Sequence, residues 1–113
     1  MVLSVFEFRL KGKKYSLDVR ECKTIFQKMM GLMFRMNSSV LLFVYSKKVQ
    51  EPIHSFFCRK FIAIWFDGKE IVDFKIVHPW RVSIKSVKKF DKFLEIPLNS
   101  EYFDEILDDK ENL

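Results

Sequence analysis

The sequence predicts an α+β domain: a small, mostly antiparallel curled sheet or β-barrel-like body carrying two short helices. Three observations lead there. Apolar and polar residues alternate with a period of two through the first twenty residues. An Asp-Gly turn at Asp67–Gly68 separates two strand-like runs. Val40 to Tyr45 is apolar at every position, the pattern of a strand covered on both faces. The 113 residues are 49% apolar and include thirteen Phe, enough to fill one core and not two. We therefore read 1–113 as a single domain, with a β-hairpin over 1–20, a central body over 24–98, and an acidic C-terminal helix and tail over 99–113.

Taken in order, Phe6, Phe8 and Leu10 fall on one face of the first strand and Glu7 and Arg9 on the other. After Lys11-Gly12-Lys13 the alternation resumes, with Tyr15, Leu17 and Val19 set against Ser16, Asp18 and Arg20. Thr24 followed three places later by Gln27 fits a capping box, so a helix should begin at Ile25. Phe26, Met29, Met30 and Met33 would form its inward stripe. Gly31 within that run costs about 1 kcal/mol relative to Ala, which predicts close packing against another backbone. Lys47 to Pro52 is a charged loop; a long segment from Ile53 then runs into the Asp67–Gly68 turn and returns as Glu70 to Val77. Pro79 breaks that strand, because proline cannot donate to the ladder. Val82 to Lys92 is open between a short helix and an extended loop. Phe93 to Pro97 reads as the last strand, and a terminal helix over roughly Glu101 to Asp108 would bury Tyr102, Phe103, Ile106 and Leu107.

Charge is unevenly placed. The net charge is +5, but residues 99–113 hold six acids against Lys110, and the first 98 residues carry nineteen bases and nine acids. A basic body with an acidic tail attracts anionic partners or keeps itself dissolved. Lys outnumbers Arg fifteen to five, a bias that suits a heat-adapted source. No apolar stretch approaches eighteen residues and Glu7 interrupts the N-terminal run, so neither a membrane span nor a signal peptide is expected, and a cytoplasmic address follows by default. Cys22 and Cys58 are too few for a disulfide framework, and reduced thiols are expected.

Five motifs occur in order: a Thr-led helix ending in Gly31-Leu32-Met33-Phe34-Arg35, the run Leu41 to Val44, a His54-Ser55-Phe56-Phe57 segment reaching Phe66-Asp67-Gly68, Pro79-Trp80-Arg81, and Leu94-Glu95-Ile96-Pro97. Together they resemble the uncharacterised domain-of-unknown-function 192 family, also called uncharacterised protein family 0127. The resemblance covers about Glu21 to Leu98. It implies a compact α+β or barrel-like domain with no agreed biochemical activity. Thr24, Gly31, Leu32, Met33, Arg35, His54, Arg59, Asp67, Gly68, Pro79, Trp80, Arg81, Leu94, Glu95 and Pro97 fall on the family's motif positions. Two departures stand out: Cys58 replaces a frequent Met, and Phe61-Ile62-Ala63 replaces Pro-Ile-Asp, removing a carboxylate at Ala63.

Against this background most chemical readings fade. His54 and Cys58 would stand roughly 13 Å apart on a strand, too far to share a metal. The clustered methionines are explained by helical periodicity, so no metal and no cofactor are expected. No nucleophile elbow, phosphate loop or dinucleotide fingerprint occurs, which points away from an enzyme; a hydrolase or transferase of unknown class is the remote alternative. The candidate ligand-binding set is Arg35, His54, Arg59, Arg81 and Glu95. The bland reading pairs these charges with one another at strand ends; the sharper one groups them around a small anionic ligand or a protein partner, since arginine presents a fork suited to carboxylate or phosphate. A nucleic-acid partner is the alternative supported by charge and by Trp80. Thr24, Gly31, Leu32, Met33, Asp67, Gly68, Pro79 and Trp80 are assigned to the scaffold.

Overall fold

A computed structural model of the protein describes residues 2–23, 39–53 and 60–111. Strands β1 (Val2–Leu10) and β2 (Lys13–Cys22) form the opening hairpin, in register from Val2 opposite Glu21 to Leu10 opposite Lys13. Lys11 and Gly12 both have positive φ, at 53° and 82°. That pair of angles is what a two-residue loop of the primed type needs to match the strand twist, and glycine supplies one of them without steric cost.

Strands β3 (Val40–Val49), β4 (Phe61–Asp67), β5 (Glu70–Val77) and β6 (Phe90–Pro97) complete one six-stranded sheet, ordered β1-β2-β3-β6-β4-β5. The last strand is thus inserted into the middle, pairing antiparallel with both β3 and β4. Only the β2–β3 contact is parallel among the described strands, and it joins just Val19–Cys22 to Val40–Phe43. Helix α1 (Phe103–Glu111) follows β6.

The sheet is strongly curled. Phe6 of β1 meets Phe66 of β4 edge-on at 5.2 Å, although three strands separate them in the sheet order. The inner face of this half-barrel holds Leu17, Leu42, Ile62, Ile64, Leu94 and Ile96, and Phe103 and Ile106 of α1 pack against the same core. The outer face carries a second, aromatic cluster in which Phe93 stacks on Phe43 at 5.5 Å and on Trp65 at 5.2 Å. Each strand of the middle of the sheet therefore buries both faces, which explains the unbroken apolar runs of β3 and β4.

Helix α1 is seated by charge as well as by Phe103 and Ile106. Asp104 and Glu105 lie in its first turn and Lys110 in its last, matching the helix dipole. Lys13 Nζ reaches Glu105 at 2.7 Å and Asp109 at 3.3 Å. The hydrogen bond to Glu105, followed by that to Asp109, outweighs partial desolvation and holds the Lys13 ammonium above its ordinary range.

The hairpin, the buried β3 and the β4–β5 pair agree with the alternation in the sequence. The open stretch before the last strand is not helical: Ile84 exchanges backbone hydrogen bonds of 2.8 and 2.9 Å with Ile53, and Asp73 accepts the Val87 amide. The last strand starts three residues earlier than expected, at Phe90, which packs on Tyr45 and Trp65. The expected helix from Ile25, with Thr24, Gly31, Leu32 and Met33, lies outside the described residues, as do His54 to Arg59.

Ile64 is fully buried in the inner core. Ile64→Ala should cost about 2–5 kcal/mol of unfolding free energy in a denaturant titration, whereas Val82→Ala, at a position 76% exposed, should stay within about 0.5 kcal/mol.

Candidate functional site

The short β2–β3 contact leaves Lys13 to Asp18 with no neighbouring strand on that side among the described residues. Unpaired backbone amides at a sheet edge need partners. The turn before α1 borders this edge: Tyr102 packs against the inner core, and its hydroxyl lies close enough to the Asp18 backbone for that backbone to act on its titration. The 99–102 turn thus lies beside β2, and a cleft of about 380 Å³ opens between them. Asp18, Arg20, Ser39, Ser100, Glu101 and Tyr102 line it, and the buried side chains of Val19 and Val40 leave Leu3 as its exposed apolar side chain.

Two opposite charges line this cleft without pairing with each other. The half-buried Arg20 donates from Nε to Ser39 Oγ at 3.1 Å, and no acid among the described residues forms an ion pair with it. Glu101 is exposed, and its carboxylate lies near the Tyr102 hydroxyl and raises its pKa. The strongest influence on that phenol, the nearby Asp18 backbone, lowers its pKa; burial and the nearby Glu101 and Asp18 carboxylates together outweigh it, so the group titrates above the ordinary 10.0.

The same arginine begins a row across the outer face of the sheet. Register places Arg20 beside Leu41, Leu41 beside Glu95, Glu95 beside Ala63, and Ala63 beside Lys75. With strands about 4.8 Å apart, Arg20 and Glu95 stand roughly 10 Å apart along the row. Glu95 is only 3% exposed. Its neighbour Ala63 lies directly cross-strand, so an acid at that position would face Glu95. Lys75 Nζ donates to the Lys85 carbonyl, approaches Asp73 Oδ2 at 3.7 Å, and sits 5.8 Å from the Trp65 ring centre. Trp65 Nε1 is buried without a hydrogen-bond acceptor among the described residues.

Of the five candidate binding residues, Arg35, His54 and Arg59 lie outside the described residues. Arg81 is exposed in the loop after β5, next to Trp80, whose φ of 65° places a bulky side chain in the left-handed region. Glu95 is buried in the central strand. Neither Arg81 nor Glu95 lines the cleft. Asp67 and Gly68 act in the β4–β5 turn, where Lys48 pairs with Asp67 at 3.0 Å and the Gly68 amide donates to Asp91 at 3.1 Å. Among the described residues no three His, Cys, Asp or Glu side chains are grouped to hold a metal, and no helix is long and apolar enough to cross a membrane. Asp18, Arg20, Ser39, Glu101 and Tyr102 escaped the sequence reading. Alternation marks Asp18 and Arg20 only as solvent-facing, and the parallel register that brings Ser39 to them leaves no local signal.

Because folding raises the Tyr102 pKa, the stability it contributes is complete below the ordinary phenol value of 10.0 and is lost as pH rises through the higher folded value. Tyr102→Phe should flatten this alkaline decline in a series of thermal melts from neutral to strongly alkaline pH.

No family model matches the chain. A UPF0127 protein of Pyrococcus furiosus is 35% identical over 75 residues, which is 63% of this chain and 65% of that protein. The chain thus spans just under two thirds of that relative's length. A UPF0127 protein of Thermococcus sibiricus is 32% identical over 110 residues, covering 87% of this chain and 70% of the relative. Both organisms are heat-loving archaea, in keeping with the lysine bias. In fold, the chain is similar to a protein of unknown function from Novosphingobium aromaticivorans, with a TM-score of 0.68 and 14% identity over 84% of this chain and 73% of that one. It is equally similar to a candidate transcription regulator from Sinorhizobium meliloti, with a TM-score of 0.68 and 17% identity over 82% of this chain and 78% of that one. At such low identity these two structures speak for the curled sheet alone. The identity to the Thermococcus protein over most of both chains decides the family: this chain belongs to the uncharacterised protein family UPF0127.

Proposed function

We propose that the protein is a small, non-enzymatic binding domain whose ligand enters the cleft between β2 and the turn leading into α1. One observation carries this reading: Arg20 and Glu101 line one cleft, with Arg20 oriented by the Ser39 hydroxyl and not by the acid. A charge oriented in this way keeps its binding capacity for a ligand, and the guanidinium fork suits a carboxylate. Arg35, His54, Arg59, Arg81 and Glu95 remain the second polar set of the proposal, with Glu95 on the same sheet face as Arg20. The division into hairpin, central body and acidic tail belongs to the same reading, which sets the cleft between the first and last of these parts. The capped helix from Ile25 and a cytoplasmic address are also retained.

Titration with acetate, followed by amide chemical shifts, tests the proposal. The expected result is a coherent response of Arg20, Ser39 and residues 100–102, weakened about tenfold by Arg20→Gln. A response scattered over the surface, or one unchanged in that variant, would remove the cleft from consideration.

A second reading, as a nucleic-acid-associated protein, has its own observation. The segment 78–89 carries Arg81, Lys85, Lys88 and Lys89 without an acid, and exposes Trp80, Val82 and Val87. Cations flanking an exposed aromatic side chain suit single strands, where base stacking contributes about 1–3 kcal/mol per base. Filter binding with single-stranded and duplex nucleic acid at two salt concentrations decides it. Salt-sensitive binding that Trp80→Ala weakens is the expected outcome, and no salt-dependent binding at micromolar protein would end this reading.

A further inference from the structure

We infer that the protein docks on an anionic membrane surface through the loop between β5 and β6, residues 78–89. Trp80, Val82 and Val87 enter the headgroup region, while Arg81, Lys85, Lys88 and Lys89 meet the lipid phosphates. The contact is peripheral and does not depend on the cleft between β2 and the turn before α1.

Two observations coincide in this loop. The exposed large apolar side chains among the described residues are Leu3, Val5, Trp80, Val82, Val87 and Leu98, and three of these six lie here. Val82 is 76% exposed, Val87 66% and Trp80 60%. The same twelve residues carry four cations and no acid. Lys85, Lys88 and Lys89 form no ion pair among the described residues. Gln50 donates to the Ser86 carbonyl at 2.9 Å, which brings the end of β3 alongside with the exposed Lys47 and Glu51. Those two opposite charges leave the positive excess of the loop unchanged.

The exposure belongs to a braced backbone. Ile84 exchanges hydrogen bonds of 2.8 and 2.9 Å with Ile53, and the Val87 amide donates to Asp73 Oδ2 at 2.9 Å. The Lys88 amide donates to Ser86 Oγ at 3.3 Å, and Lys75 Nζ donates to the Lys85 carbonyl. Ser86 is 2% exposed and Ile84 half-buried, so Lys85 and Val87, which alternate with them, are turned outward. Apolar groups presented in this way need little further ordering when a partner covers them.

The combination of side chains selects the partner. Single-stranded nucleic acid would stack on Trp80 and pair its phosphates with the cations, but bases offer aliphatic side chains no equivalent contact. Val82 and Val87, the two most exposed of the three, would stay in water. The surface of an anionic bilayer satisfies all of them. Acyl chains just below the headgroups accept the valines, the headgroup level suits the amphipathic indole, and lipid phosphates face the cations.

The test is co-sedimentation of the full chain with vesicles of phosphatidylcholine alone and with vesicles carrying about one third phosphatidylglycerol. Binding to the anionic vesicles only, weakening as salt rises, is the expected result, together with a shift of Trp emission to shorter wavelength. Trp65 is fully buried, so that shift reports Trp80 and should vanish in Trp80→Phe. Lys88→Gln should weaken vesicle binding about fivefold. Val82→Ser combined with Val87→Ser should weaken it about tenfold and leave the thermal melt unchanged, because both side chains are exposed. Absence of binding to anionic vesicles at low salt would overturn the inference. Vesicle binding undiminished in the double-serine variant would overturn it too, since the cations alone would then account for the contact. If a single-stranded oligonucleotide displaces the protein from the vesicles, and its own binding ignores the serine changes, the loop belongs to nucleic acid and the inference falls.

Discussion

Four residue pairs join β2 to β3, and the arrangement at one end of the molecule depends on how short that contact is. Were the pairing continued along β2, the amide edge from Lys13 to Asp18 would be satisfied by a strand. It is instead bordered by the C-terminal segment: Lys13 binds Glu105 and Asp109 of α1, Tyr15 and Leu17 share a core with Phe103 and Ile106, and Tyr102 packs on that core with its hydroxyl near the Asp18 backbone. A helix side cannot continue a ladder as a strand does, so the seam is closed by side chains at one end and remains a cleft at the other. Arg20 and Ser39 stand where the strand pairing begins, which is why they line it.

The outer face of the sheet shows a second constraint. Glu95 lies in the strand that is paired on both sides, on a row that runs from Arg20 to Lys75. Carrying a carboxylate to 3% exposure costs several kcal/mol before compensation. Its immediate cross-strand neighbours, Leu41 and Ala63, provide no charge. An acid at position 63 would set two carboxylates side by side at this depth, and the alanine avoids that repulsion. The polar row and the cleft share Arg20, and a change in one is therefore felt at the edge of the other.

How much of this the sequence disclosed depends on whether the signal was local. The hairpin was legible because Phe6, Phe8 and Leu10, then Tyr15, Leu17 and Val19, alternate and because Lys11-Gly12 can take positive φ. The C-terminal helix was legible from Phe103 and Ile106 at helical spacing. The insertion of β6 between β3 and β4 was not, since no residue in Phe90–Pro97 announces which strands lie beside it. The cleft was hidden for the same reason: Arg20 and Ser39 are nineteen positions apart, Asp18 and Tyr102 much farther, and each looks like an ordinary surface residue in its own segment. The motif residues drew the eye towards Arg81 and Glu95, while the pocket formed beyond the motifs.

Amide hydrogen exchange at Asp18 tests the account most directly, because a single amide reports whether Tyr102 closes the exposed edge of β2. In the unaltered protein this amide should exchange slowly, and Tyr102→Phe should accelerate it strongly while leaving Glu21 and Cys22, beside β3, unchanged. Equal exchange at Asp18 in the two proteins would show that the turn does not hold the strand edge, and the origin assigned to the cleft would be wrong.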